Sequence, residues 1–206
     1  MPTPRPAPPA GRVDAIVIGA SAGGVDVLTQ ILPALPTNFR PAVLVVLHLP
    51  RKLPSLLPEV FTARCTLPVH EATDKQPVQP GTIYFAPPNY HLLVDRDAKG
   101  PLLALSMDAP VHFSRPAIDV LFESAAAVYG PRLGGVILTG ANADGALGLQ
   151  AVKRRGGVTL VQAPNIAIAR SPAMPQAAVA AGPVDFVLPL EQMPAVFRAW
   201  GDGGAI

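Results

Sequence analysis

One cysteine, Cys65, is all the thiol chemistry this 206-residue chain has. A lone cysteine excludes an internal disulfide and leaves no thiolate cluster for zinc. It lies between Phe61 and Leu67, among apolar neighbours, so a buried structural thiol is expected. Histidine is scarce as well: four residues, with no H-x-x-x-H or H-x-H pair, so spacing offers no metal site. Charge is thin, 15% of residues with a net of +2, and no long Lys/Arg run argues for nucleic acid. No uninterrupted apolar run reaches membrane length, so no membrane insertion is expected. The N-terminus, MPTPRPAPPAGR, lacks the apolar stretch of a signal peptide. A cytoplasmic protein is the expectation. Repeats are absent, and no composition shift marks a domain boundary after the tail.

What is present is apolar. Half of the residues are hydrophobic, enough for one domain with a sizeable core. The proline- and alanine-rich residues 1–12 read as a disordered tail, 13–200 as the domain, and 201–206 as a C-terminal tail. Within the domain, strands and helices alternate, which predicts an α/β fold, a doubly wound, mainly parallel sheet with helices on both faces. Predicted strands are Val13 to Ile18, Ala42 to Leu47, Thr66 to His70, Leu133 to Leu138, Val158 to Gln162 and Val184 to Leu188. Predicted helices run from about Gly24 to Leu35, Lys52 to Ala63, Ala117 to Tyr129, to about Arg154, Met174 to Ala181 and Leu190 to Trp200. In the middle, Thr82 to Ala86, His91 to Asp95 and Leu102 to Ser106 read as a short antiparallel section, with turns at Pro87-Pro88-Asn89 and Asp97-Ala98-Lys99-Gly100.

The stretch VDAIVIGASAGGVDVLTQILPALP, from Val13 to Pro36, is strand, tight turn, helix. Ser21 sits inside Gly19-Ala20-Ser21-Ala22-Gly23, a G-x-S-x-G arrangement that sets a hydroxyl at a strand end beside free helix N–H groups. On the turn alone three readings stay open: a nucleophile, a helix cap, and a phosphate-cradling loop. The nucleotide reading weakens at the next strand. It requires an acidic residue about 20 residues after the loop, and the strand Ala42 to Leu47 ends in His48 instead. No Gly-Lys-Ser/Thr follows the turn, so a P-loop is excluded.

Three strands thus end in polar residues: Ser21, His48 and, after Leu133 to Leu138, Asp144. Strand C-termini of a parallel sheet share one edge, where ligands bind. Their types suit a hydrolytic triad in which Ser21 attacks, His48 takes its proton and Asp144 orients the imidazole. Each has a plainer role open to it. His48 could bond a loop carbonyl, and Asp144 could cap the helix it precedes. The order Ser, His, Asp differs from that of α/β-hydrolases, and no histidine follows His112. His70 and His91 are expected at the surface; His112, just before Ser114-Arg115-Pro116, is a candidate near the crevice.

Four blocks, VIGASAGG, LHLP, SRPAIDVLF and LTGANADGALG, stand in the order of the catalytic domain of bacterial chemotaxis protein-glutamate methylesterases, the CheB type. IYFAPPNYHLLVD also resembles that family's central segment, and the resemblance covers about Asp14 to Trp200. It implies a doubly wound α/β domain without a cofactor. It implies a triad of Ser21, His48 and Asp144, with oxyanion donors at the backbone N–H groups of Ala22 and Ala141. It further implies hydrolysis of glutamate methyl esters on the cytoplasmic helices of methyl-accepting chemoreceptors, with deamidation of certain glutamines. A non-catalytic docking module of a chemosensory system, or an esterase for a different carboxylic ester, are the alternatives.

The chain departs from the usual family pattern at several places. Ala22 stands where Thr or Ser is common, Leu47 where Gln precedes the histidine, and Ala141 and Asn142 where Met and Gly are usual. Ala173-Met174-Pro175 replaces Gly-Met-Pro. No phosphoacceptor receiver domain fits in the twelve residues before the first strand, so control by receiver phosphorylation is not expected.

Overall fold

Strands that are apolar at every position must be covered on both faces. The computed structural model describes residues 12–48, 55–164 and 171–202, and it shows such strands at its centre. In chain order the elements are β1 (Ala15–Ala20), α1 (Gly24–Ile31), β2 (Ala42–Leu47), α2 (Leu57–Thr62), β3 (Val69–Glu71), β4 (Ile83–Phe85), β5 (His91–Asp97) and β6 (Gly100–Ser106). They continue with α3 (Ile118–Tyr129), β7 (Leu133–Ile137), α4 (Ala146–Arg154), β8 (Val158–Gln162), α5 (Ala173–Ala180), β9 (Phe186–Leu188) and α6 (Met193–Asp202).

Seven strands form one parallel sheet in the order β3-β4-β2-β1-β7-β8-β9. β1 is central: Ala15 pairs with Ala42 of β2 on one side and Leu133 of β7 on the other. The chain builds outward from β1 in both directions, so the order reverses between β1 and β7. β5 and β6 form a separate antiparallel hairpin.

Alternate residues of each strand feed two cores. Ile16, Ile18, Val43, Val45 and Val136 pack with Leu28 and Ile31 of α1, Phe61 of α2 and Phe197 of α6. Val17, Leu44, Val46 and Ile137 pack on the other face with Leu121 and Phe122 of α3, Leu149 of α4, Met174 of α5 and Leu92 of the hairpin. Every residue of β1, β2, β7 and β8 is buried.

The differences from expectation are local. β4 is not antiparallel: it lies in the main sheet, parallel to both β2 and β3. All three of its residues are buried, the pattern of a strand covered on both faces rather than of a half-solvated hairpin. α1 stops at Ile31 and tightens into a 3₁₀ turn, Leu32–Ala34, because Pro33 supplies no N–H. β1 extends two residues past Ile18, through Gly19 and Ala20. α2 begins at Leu57, with Pro58 in its first turn; the expected start of that helix lies outside the described residues. So does the N-terminal tail apart from Arg12, whereas Gly201 and Asp202 belong to α6 rather than to a tail.

Candidate active site

The chain leaves β1 at Ala20 and enters α1 three residues after it, through Ser21, Ala22 and Gly23. Gly23 adopts φ +79, and the Gly24 N–H donates to the Ser21 carbonyl at 2.8 Å to close the turn. Gly19 admits a neighbour: a Cβ there would stand 2.4 Å from Ile118 Cγ2, so α3 begins hard against β1. Ser21 is half-buried at this edge.

The register sets what stands beside it. Ala20 is level with Leu47, so Ser21 is one step beyond and level with His48. On the other side the Ser21 N–H donates to the Thr139 carbonyl at 2.9 Å, and Asp144 lies five residues further on. Neighbouring strands are about 4.8 Å apart. All three residues therefore gather at the C-terminal edge, at the reversal of strand order.

The tightest contact is between His48 and Asp144, with Nε2 2.8 Å from Oδ2. Asp144 is fully buried. Its Oδ2 also accepts the Ile118 N–H at 2.7 Å, and its Oδ1 the Asp119 N–H at 3.0 Å. Asp144 thus sits on the N-terminus of α3, where a negative charge is favoured. It does not cap α4, whose N-cap is Gly145 at φ +90. Burial pushes the Asp144 carboxyl up, but the hydrogen bonds from His48, Ile118 and Asp119 outweigh it and hold it below the usual carboxylate range. An ionised Asp144 only accepts, so Nε2 of His48 carries the ring proton and Nδ1 the lone pair.

The expected continuous chain from Ser21 through His48 to Asp144 is present in one link only. Among the described residues the Ser21 hydroxyl makes no hydrogen bond to His48. Nδ1 instead faces the side-chain amide of Asn142 at 3.5 Å. Ala22 and Ala141 are exposed, and neither backbone N–H donates within the described residues.

Two buried polar residues that the sequence reading did not single out hold the edge together. The Thr139 hydroxyl contacts the carbonyls of Ala22 at 3.0 Å and Ser171 at 3.1 Å, tying the serine turn to the start of the α5 segment. Gln162, at the end of β8, accepts the Thr139 N–H through Oε1 at 2.9 Å. Polar residues closing apolar strands were the available signal. His91 is not at the surface. It is 1% exposed, because its Nδ1 accepts the Ala117 N–H at the start of α3 at 3.2 Å and its Nε2 meets the Ala109 carbonyl. His70 is exposed, as expected. His112 pairs with Asp119, Nε2 to Oδ2 at 3.3 Å, one residue from the Ile118 N–H that binds Asp144. Cys65 is half-buried against the core, and burial raises its thiol.

A cavity of about 280 Å³ lies at the opposite, N-terminal edge of the sheet, lined by Arg12, Arg40, Arg96, Arg132, Asp14 and Tyr129. Arg12 and Arg132 pair with Asp14, and Arg96 donates to the Val128 carbonyl near the end of α3. These contacts tie strand starts to a helix end, far from Ser21. Among the described residues no group of three His, Cys, Asp or Glu could hold a metal ion. No described helix is long and apolar enough to cross a membrane.

Fold and site together define an α/β protein of the doubly wound class, with a histidine paired to a buried carboxylate at its switch point. The model of the CheB methylesterase family matches residues 16–197, and the chain belongs to that family. A relative from Leptospira interrogans is 44% identical over 184 residues, covering 89% of this chain and 93% of its own length. A relative from Anaeromyxobacter dehalogenans, named protein-glutamate methylesterase/protein-glutamine glutaminase 1, is 40% identical over 97% of this chain; the match spans 56% of that longer protein. The crystal structure of the Thermotoga maritima CheB methylesterase catalytic domain superimposes with a TM-score of 0.85 at 32% identity, covering 90% of this chain and 97% of that one.

Proposed function

We propose that residues 13–200 form a serine esterase that hydrolyses glutamate methyl esters on the cytoplasmic helices of chemoreceptors, and deamidates glutamines at such sites. The observation that carries this reading is the buried Asp144 carboxylate, held by two N–H groups of α3 and hydrogen-bonded to His48 on the strand end beside Ser21. Names carried by relatives support the substrate class.

Because Asp144 occupies Nε2, the proton acceptor is Nδ1. Ser21 Oγ attacks the ester carbonyl as its proton passes to Nδ1. The tetrahedral oxyanion is met by the N–H groups of Ala22 and Ala141. Collapse breaks the C–O bond to methanol, which takes the proton back from Nδ1 and leaves a glutamyl ester on Ser21. Water then attacks that ester with Nδ1 again accepting a proton, and Ser21 is released with free glutamate on the substrate. With a glutamine substrate the leaving group is ammonia.

One observation favours a second reading, a docking module without turnover: the Asn142 amide, rather than the Ser21 hydroxyl, faces Nδ1. Methanol release from methylated receptor membranes decides between them. The esterase reading expects release by the native protein and none by Ser21→Ala. No release by either, with binding to the receptor retained, would establish the docking module.

A further inference from the structure

The nitrogen of His48 that must work as a base is the one Asp144 does not touch. Its nearest hydrogen-bonding neighbour among the described residues is Asn142, whose Nδ2 lies 3.5 Å from Nδ1. The orientation of that amide is fixed independently. The backbone N–H of Asp144 donates to Asn142 Oδ1 at 3.2 Å, which turns the oxygen to the main chain and the nitrogen to the ring. The ring is fixed from its other side, since an ionised Asp144 requires the proton on Nε2. An amide N–H therefore meets a lone pair. The contact is long, but its polarity is right.

We propose that Asn142 is a positioning residue that holds His48 with its lone pair on Nδ1 and opposes formation of the imidazolium. This rests on the reading of His48 as the base. The physical reason is a mismatch that appears on protonation: once Nδ1 carries a proton, two N–H groups face each other, and the Asn142 nitrogen cannot accept. Asp144 acts in the opposite sense, because its charge favours the imidazolium. From α3, Asp119 donates its N–H to Asp144 Oδ1, and its carboxyl meets His112 Nε2. The ring is thus held between a carboxylate that favours its protonation and an amide that resists it. Asn142 also engages the lone pair that Ser21 requires, so the serine hydroxyl must displace the amide when it delivers its proton.

The test uses Asn142→Ala and Asn142→Asp in the full chain. The second variant keeps an oxygen for the Asp144 N–H while replacing the donor at Nδ1 with an acceptor. Two quantities are followed against pH: the NMR signals of the His48 ring, and kcat/KM on methylated receptor. Both midpoints should move to higher pH, modestly in Asn142→Ala and by about one unit or more in Asn142→Asp, as expected for a carboxylate brought to an imidazolium. Well below the native midpoint, kcat/KM of Asn142→Asp should then fall about tenfold or more against the native protein. Midpoints that stay fixed in both variants overturn the proposal, including the case where turnover drops equally at every pH. The NMR arm does not depend on turnover. A ring titration that moves in a protein without esterase activity defeats the catalytic reading and upholds the placement of Asn142. Turnover with unmoved midpoints defeats the placement alone.

Discussion

Asp144 does two jobs with one carboxylate, and substitutions separate them. On the esterase reading, removing Ser21 or His48 as alanine should cost turnover on the order of 10⁴–10⁶, while Asp144→Ala should cost less, because the proposed nucleophile and base remain. Stability should rank the other way. Ser21→Ala leaves the urea midpoint near the native value, whereas Asp144→Ala strips the buried Ile118 and Asp119 N–H groups of their acceptor, at about 1–3 kcal/mol each. Urea unfolding beside a methanol-release assay reads both orders, and an Asp144→Ala protein as stable as Ser21→Ala would contradict this account.

The two neighbouring carboxyls also titrate in opposite senses. Asp144 is held low, so its contribution to stability is present above the ordinary carboxylate value and is lost as pH falls through its lowered one. Asp119 is held high, first by burial and then by the Asp144 charge, although the Gly148 N–H and His112 offset part of this. Its contribution is present below the ordinary value of about 3.9 and is lost as pH rises through the raised one. Asp119→Asn should therefore lessen the fall in stability on going from about pH 4 upward. Unfolding free energies measured at intervals across that range check the sign; a steeper fall in the variant would refute it. Ser21 and His48 each directly follow a strand and Asp144 follows β7 through a loop, so the sheet edge they share was legible. Thr139 and Gln162, which also close strands, were not singled out, and His91 was expected at the surface, because the roles of all three depend on carbonyls and N–H groups brought from distant segments.

Among the elements, α3 carries the most. Its first N–H groups bind His91 and Asp144, and Ile118 presses on Gly19 of β1. A methyl at position 19 would force helix and strand apart. Gly19→Ala should destabilise by about 1–3 kcal/mol, as overpacking does, and should also reduce turnover by shifting the Asp144 donors. Pairing it with Ile118→Val, which shortens the opposing side chain, should recover part of both losses; a strictly additive double mutant would show that the two do not meet. Most elements could be read from periodicity and punctuation, and β2 and β8 were placed to the residue. β4 was misassigned because a run of three buried residues carries no direction. Its direction is set by its partners, β2 at Val43–Val45 and β3 at Val69–Glu71, both parallel to it.

Over the whole molecule, protection should fall from the centre outward. β1, β2 and β7 are buried at every residue and covered on both faces, so their amides should exchange slowest, at the free energy of global unfolding. β3 and β9, with three residues each, should exchange fastest among the strands of the main sheet. Hydrogen exchange resolved by residue tests the gradient, and an outer strand protected as well as β1 would contradict it. The parallel, two-sided fold was legible in the uninterrupted apolar runs. The strand order was not, because nothing local states which way the chain steps after β2.

Those two outer strands have a colloidal consequence. An open sheet offers its unpaired rim to any other chain as a template. Here each rim is three residues long, about 10 Å of ladder. Segments that stack into fibres run to six or seven residues. The long apolar strands of that sheet, β1 and β2, are locked in its middle, and its rims are too short to recruit a stranger.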